Sequence, residues 1–473
     1  MHADRPSDTR TSYPPESWRP ARRAAMTFLR PFEGFLQIEA ASGILLLIAA
    51  AFALAWANSP WAASYDHLWH TTIAIGIGEW TMDKSLHFWI NELLMTFFFL
   101  LVGLEIKREM AHGALSDLRR AALPVAAAIG GMLVPAGIFV AFNRAGPGAV
   151  GWGVPMATDI AFAVGVLTLL GRRVHPTVRV LLLAFAIIDD IGAILIIALF
   201  YSSGFAVDGL MIAGGGLLMA WLFLTLGIRP GAVFTIPLLI MWAGLYRAGI
   251  HPTIAGVVLG LMIPVRAWYG SHGFLRAAQD ALDDFRARVE AGQSHHELLE
   301  PLDAIAEARR EAVAPAVRGE AVLHPWVAYG IMPLFALANA GVHLQGLDFQ
   351  VPSATPVLLG VVAGLVLGKP IGVLLFSWLS VRSGLCVLPR SVTWRGMLVM
   401  GAAGGIGFTM AIFIAELAFP DPELLAVAKL GVLAATAVAG AIALLGGWIL
   451  PHAGLMDEVE DLTADAVEES ALA

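Results

Sequence analysis

Two adjacent aspartates, Asp189 and Asp190, interrupt the otherwise apolar stretch AFAIIDDIGAILIIALF at residues 184–200. Asp159 stands in VPMATDIAFAVG and Lys369 in LVLGKPIGVLL, again among apolar neighbours. Glu92, and further along the same run Glu105 and Glu109 in LVGLEIKREM, add acids where water is scarce. An ionised side chain at mid-bilayer costs about 2.5–3.5 kcal/mol on insertion scales. A structural ion pair would explain one acid and one lysine. Here Asp159, Asp189 and Asp190 outnumber Lys369, so a carboxylate is left that must take up a proton or bind a cation. Either outcome points to ion or proton traffic. Successive helical positions point about 100° apart, so Asp189 and Asp190 cannot face one partner. One can meet Lys369 while the other lines a cavity. A compact hard cation takes oxygen ligands. Thr158 and Asp159 offer a hydroxyl and a carboxylate close to Pro155, which would kink a helix and free nearby carbonyls.

A second interruption lies in VMGAAGGIGFTMAIFI, where Gly401, Gly404, Gly405 and Gly407 make a poor continuous helix. VPMATDIAFAVG and GGIGFTMAIFIA are faintly alike and fall in corresponding places of two halves of the chain. Paired interruptions of this kind mark the central site of a transporter. Gly360, Gly364, Gly368 and Gly372 recur every four residues, which is most simply a close-packed helix face.

The elements that must position these residues are membrane helices. The chain has 473 residues, 58% hydrophobic and 14% charged, against about 25% charged in soluble domains. A transmembrane helix needs about 20 mostly apolar residues. Runs that meet or approach this begin near 42, 86, 121, 150, 178, 206, 231, 252, 325, 354, 395 and 427, predicting roughly twelve spans in a domain over 35–450. Of the 29 lysines and arginines, 24 fall on one side of these spans, Lys84, Arg144, Arg247 and Lys429 on the other, and Lys369 within. The positive-inside rule then places both termini in the cytoplasm. The arm 1–34 has no apolar core and does not read as a signal peptide. The acidic tail 451–473 reads as a solvated end. Cys386 is the only cysteine, so no intrachain disulfide forms. TTIAIGIGEWTMDKS alternates Ile73, Ile75 and Ile77, which predicts a strand and a hairpin.

The stretches FFFLLVGLEIKREM, VPMATDIAFAVG, LAFAIIDDIGAILIIALFY, HPTIAGVVLG, LHPWVAYGIMPLFALANAGV, LGKPIG and GIGFTMAIFIAELAF follow one another along residues 35–450. Together they resemble the bacterial NhaA sodium/proton antiporters. The resemblance implies an all-α integral membrane protein with inverted repeats, two crossed discontinuous helices in the fourth and eleventh spans and a small extracytoplasmic β-hairpin. It implies electrogenic exchange of two external protons for one cytoplasmic Na+ or Li+, activation at alkaline pH, residence in the bacterial inner membrane and a homodimer through the hairpin near 72–84. No cofactor and no nucleic acid is implied beyond the transported ions and membrane lipid. By position, Asp190 matches the main cation-binding carboxylate, and Asp189 its neighbour, paired with the lysine at Lys369. Thr158 and Asp159 match the pair at the helix crossing. Glu105, Arg108, Glu109 and Glu320 match a pH-sensing cytoplasmic funnel. His251 and His324 match histidines tied to the pH response, and Glu92 is grouped with them.

The charged segment 267–322 departs from the family's compact pattern. Leu275, Ala278, Leu282, Phe285 and Val289 recur at helical spacing, with Gly292 and Pro301 as breaks, so part of this cytoplasmic insertion is expected to be an amphipathic helix. Three other activities fit less well. An intramembrane aspartyl protease using Asp159 and Asp190 would need a GxGD motif, which is missing. GLVLGKP lacks the first glycine and the Ser/Thr of a phosphate loop. A passive cation channel would have no use for carboxylates that load protons and sodium alternately.

Overall fold

A computed structural model describes residues 41–449, apart from 78, 79, 145, 203, 229, 230, 347, 348, 350 and 390. The expected arm 1–34 and tail 451–473 lie outside the described residues. Helix α1 (Ala41–Ala57) turns by 113° into α2 (Ala62–His70). Asn58 holds that corner: its Nδ2 donates to Leu54 O (2.8 Å) and Val342 O (2.7 Å), and its Oδ1 accepts from Leu344 N (2.8 Å). Strands β1 (Thr72–Ile77) and β2 (Trp80–Ser85) pair antiparallel, with Ile73 opposite Lys84 and Ile75 opposite Met82. This is the small sheet that the isoleucine alternation predicts.

Helix α3 (Leu86–His112) carries a π turn at Trp89–Leu94. α4 (Leu118–Phe142) follows. A 3-10 helix, Pro147–Met156, then breaks into α5 (Ile160–Leu169) with a bend of 46°. α6 (Pro176–Phe200) starts on a proline, where the missing N–H is no loss, and His175 Nδ1 accepts from Thr177 N at 3.2 Å. Next come α7 (Val207–Thr225), α8 (Thr235–Ala248) and α9 (Ile254–Met262). α10 (Gly270–Glu290) and α11 (Leu299–Glu311) pack on each other. α12 (Pro315–Asn339) has a π turn at Val327–Ile331, and α13 (Ala354–Arg382) has one at Gly364–Gly368. α14 (Trp394–Gly404) breaks into α15 (Phe408–Ala418) at 47°, and α16 (Pro422–Ile449) ends the described chain.

Among the described residues, eight helices are long and apolar enough to cross a membrane, or up to eleven if each bent pair is one span. The chain is thus a multi-pass, mostly helical membrane protein. Twelve runs were expected, and α9 accounts for part of the difference. Its nine residues reach only about 14 Å at 1.5 Å per residue, against a hydrocarbon core of about 30 Å. It lies against α3, where a Cβ on Gly256 would stand 2.2 Å from Thr96 O and one on Gly103 2.7 Å from Val257 O.

The insertion also differs from the expected loop. It is a helical hairpin that closes before Pro315, where α12 already begins. Gly292, at φ +68°, follows the end of α10. Pro301 sits in the first turn of α11, where a helix tolerates it, and does not divide the segment. The four-residue glycine repeat of α13 meets α4 and the 3-10 helix. A Cβ on Gly372 would stand 2.0 Å from Gly130 O, one on Gly368 2.8 Å from Pro135 Cα, and one on Gly364 2.7 Å from Pro155 Cβ. No side chain on α13 fits there, and the close approach brings α13 near enough for Lys369 to reach α6.

Candidate functional site

The two breaks touch. Asp159 N donates to Ile406 O at 2.8 Å, and Thr158 Oγ1 donates to Gly404 O at 2.8 Å. Asp159 is the N-cap of α5, its Oδ1 accepting from Phe162 N at 3.1 Å. Its Oδ2 accepts from Thr409 N at 3.2 Å and from Thr409 Oγ1. One carboxylate thus serves the N-termini of α5 and α15. Free N–H groups and the helix dipole place positive charge at each, so Asp159 offsets both. The C-terminal end of α14 carries the opposite partial charge, and Gly404 O there is tied through Thr158 to the ammonium of Lys369, whose Nζ donates to Thr158 Oγ1 at 2.9 Å.

Lys369 begins the α-helical turn after the π turn Gly364–Gly368, a wider turn that rephases the side chains following it. Its Nζ donates to Asp189 Oδ2 at 2.6 Å and lies 5.4 Å from the centre of the Phe185 ring. Both ends of this ion pair are fully buried. Asp190, the next residue on α6, is 1% exposed, and neither of its carboxylate oxygens has a hydrogen-bond partner among the described residues. It stands within electrostatic reach of Asp189, Glu105, Asp159 and Lys369. The proton-sharing dyad that a protease would build from Asp159 and Asp190 is therefore not formed. Among the described residues no three His, Cys, Asp or Glu side chains cluster tightly enough to hold a metal ion.

The residues grouped as funnel and pH response fall in different places. Arg108 reaches Glu320 of α12 at 2.5 Å and Glu109 at 3.2 Å. Glu105, one turn back on α3, is within electrostatic reach of Glu320, Arg108 and Glu109. His324 is exposed one turn beyond Glu320. Glu92 is not with them. It lies in the π turn at the other end of α3, about 20 Å from Glu105 by helical rise. Its Oε2 is 3.8 Å from His251 Nδ1. The π turn disrupts the i to i+4 ladder, and the Glu92 carbonyl accepts from Thr96 Oγ1 (2.6 Å) and Trp242 Nε1 (3.1 Å).

Thr409, Phe185 and the carbonyls of Gly404 and Ile406 complete the centre and were not singled out from the sequence. A signal for Thr409 existed: it holds the place in GFTMAIF that Thr158 holds in ATDIAF.

The sequence pattern of the Na+/H+ antiporter 1 family matches residues 33–446. The Na(+)/H(+) antiporter NhaA 2 of Sorangium cellulosum is 54% identical over 464 residues, 98% of this chain and 99% of its own length. The NhaA 2 antiporter of Myxococcus xanthus is 52% identical over 462 residues, 96% and 98% of the two chains. The NhaA antiporter of a Janthinobacterium species is 52% identical over 417 residues, 88% and 92%. With so long a match around a buried centre of three aspartates and one lysine, the chain belongs to the Na+/H+ antiporter 1 family.

Proposed function

We propose that this protein exports Na+, or Li+, across the bacterial inner membrane in exchange for protons, two per cation, and is activated at alkaline pH. Asp190 carries this reading. It is buried, adjacent to a second carboxylate, and accepts no hydrogen bond from the described residues. Such a carboxylate is neutral when it binds a proton or when it binds Na+, so each displaces the other. Asp189, held by Lys369, and Asp159, held by two helix N-termini, are close enough for a second proton to move in the same cycle.

The touching breaks are read as two discontinuous helices crossing at the centre of an inverted repeat, in a fold of about twelve spans. Alternating access around that crossing converts competition at Asp190 into exchange. Glu105, Arg108, Glu109 and Glu320 form a charged cluster able to report cytoplasmic pH. Glu92 and His251, read with the same pH-response group, meet at the far end of α3, apart from that cluster. The hairpin exposes Ile73 and Ile75, an apolar edge suited to a second copy and hence to a homodimer.

Everted vesicles holding an imposed pH gradient test the exchange. Adding NaCl should collapse the gradient, and the rate should respond to membrane potential. A gradient that Na+ leaves untouched, or that decays equally without Na+, contradicts antiport and in the second case favours a leak.

The distribution of basic residues supports an orientation with both termini in the cytoplasm and the hairpin outside. Cysteines placed at positions 3 and 470, in a Cys386→Ser background, should be shielded from an impermeant thiol reagent in intact cells. Labelling of either from outside overturns this orientation.

A further inference from the structure

The second helix of the insertion, α11, and the start of α12 flank an open cavity of about 780 Å³, within the usual range of small-molecule sites. Five charged side chains line it: Asp303, Glu307, Arg309 and Arg310 from α11, and Arg318 from α12. Arg318 Nη1 donates to the Arg310 carbonyl, which fixes α11 against α12. The rest of the wall is different in kind. Val313, Val317 and Ala321 recur every four residues and are exposed. Val317 and Ala321 already belong to the helix Pro315–Asn339, which is long and apolar enough to cross the membrane. The exposed track continues through Pro325 and Trp326. On the other side, Trp268 and Tyr269 flank a neighbouring cavity of about 410 Å³ that shares Glu307 and Arg310. Exposed Trp and Tyr at such a position are typical of the water–lipid boundary.

A charged chamber thus opens onto an apolar helix face at the depth where a span begins. Guanidinium groups bind phosphate oxygens in fork geometry. Arg309, Arg310 and Arg318 alone would suit any phospholipid. Asp303 and Glu307 narrow the choice, because a purely anionic headgroup would meet them unfavourably. A primary ammonium one short linker away from the phosphate would satisfy them with charge-assisted hydrogen bonds, and a quaternary ammonium could not donate any.

We propose that this cavity is a binding site for an aminophospholipid of the phosphatidylethanolamine type from the leaflet on that side of the membrane, with phosphate on the arginines, amine on Asp303 and Glu307, and an acyl chain along Val313, Val317 and Ala321. The site goes beyond the transport centre and does not depend on it.

Native mass spectrometry of the full chain in detergent, offered equal phosphatidylethanolamine, phosphatidylglycerol and phosphatidylcholine, tests this. Phosphatidylethanolamine should be retained in excess. Arg309→Ala and Arg310→Ala should each lower that retention about fivefold, the effect of one basic residue near a lipid surface. Asp303→Asn with Glu307→Gln, nearly isosteric and on an exposed helix face, should erase the preference over phosphatidylcholine while leaving total phospholipid bound. Equal retention of the three lipids by the native chain overturns the proposal, as does unchanged phosphatidylethanolamine retention in the Arg309→Ala/Arg310→Ala protein. Displacement of the lipid by equimolar glycerophosphoethanolamine or inorganic phosphate also overturns it, since a soluble phosphate compound would then be the ligand.

Discussion

Asp190→Asn should yield a folded, membrane-inserted protein that neither binds Na+ nor releases protons when Na+ is added. The substitution is isosteric and removes only the ability to ionise. No described group donates a hydrogen bond to either Asp190 oxygen, so the amide strands no neighbouring donor; its own two N–H groups stay unpaired, but an unpaired buried amide costs less than an unpaired buried carboxylate. Stability should therefore hold or rise slightly. Function should vanish, because the protonated and cation-bound forms of the same carboxylate are the two halves of the exchange. Calorimetry with NaCl and a pH indicator in weak buffer measure both on purified protein. An Asp190→Asn protein of near-native yield that still releases protons on Na+ addition would falsify the assignment of Asp190 as the competing site. In that case Asp159 or the Asp189–Lys369 pair would have to take its place.

Much of the centre was legible because charge in an apolar run is conspicuous. Asp159, Asp189, Asp190 and Lys369 stand out by cost alone, and a 100° step between neighbours is enough to separate a paired aspartate from a bare one. The hairpin was legible from Ile73 and Ile75, and the tight face of α13 from glycines spaced by four. What was not legible involves backbone. The carbonyls of Gly404 and Ile406 belong to no residue type, so no motif announces them. The π turns at Trp89–Leu94 and Gly364–Gly368 differ from α-helix by one hydrogen-bond step, which hydropathy does not register. Yet one lies just before Lys369 and the other contains Glu92. α9 read as a span because HPTIAGVVLGLMIP is apolar. Its close packing against α3, through Gly103 and Gly256, adds a second source of apolarity that hydropathy does not separate from a span. Helix α10 followed the spacing of Leu275, Leu282 and Val289, but α11 and the insertion's end did not, since Pro301 reads as a break and Pro315 equally as a loop breaker and as the first residue of a helix.

Lys369→Ala should lower the melting temperature in detergent far more than any surface substitution. Removing one member of a buried pair typically costs about 3–5 kcal/mol, because the remaining charge is left unmatched. Here the residue left behind is Asp189, 1% exposed, whose Oδ2 loses its 2.6 Å partner. Two further contacts disappear with the lysine: the 2.9 Å bond to Thr158 and the approach to the Phe185 ring. Adding Asp189→Asn neutralises the stranded carboxylate, so the double variant should recover part of the loss, by about 0.5–3 kcal/mol of coupling. Full recovery is not expected, since the Thr158 and Phe185 contacts stay broken. The same pair separates bracing from proton carriage. If Lys369 only braces α13 against α6, the double variant should keep Na+ binding at Asp190 and release as many protons per bound Na+ as the native chain. If the ammonium gives up its proton when Na+ arrives, both Lys369→Ala and the double variant should release fewer protons per bound Na+ than the native chain. Strict additivity of the Lys369→Ala and Asp189→Asn effects on melting would show that the 2.6 Å contact contributes no pairwise stability, and the brace would then have to be sought in Thr158 and the end of α14.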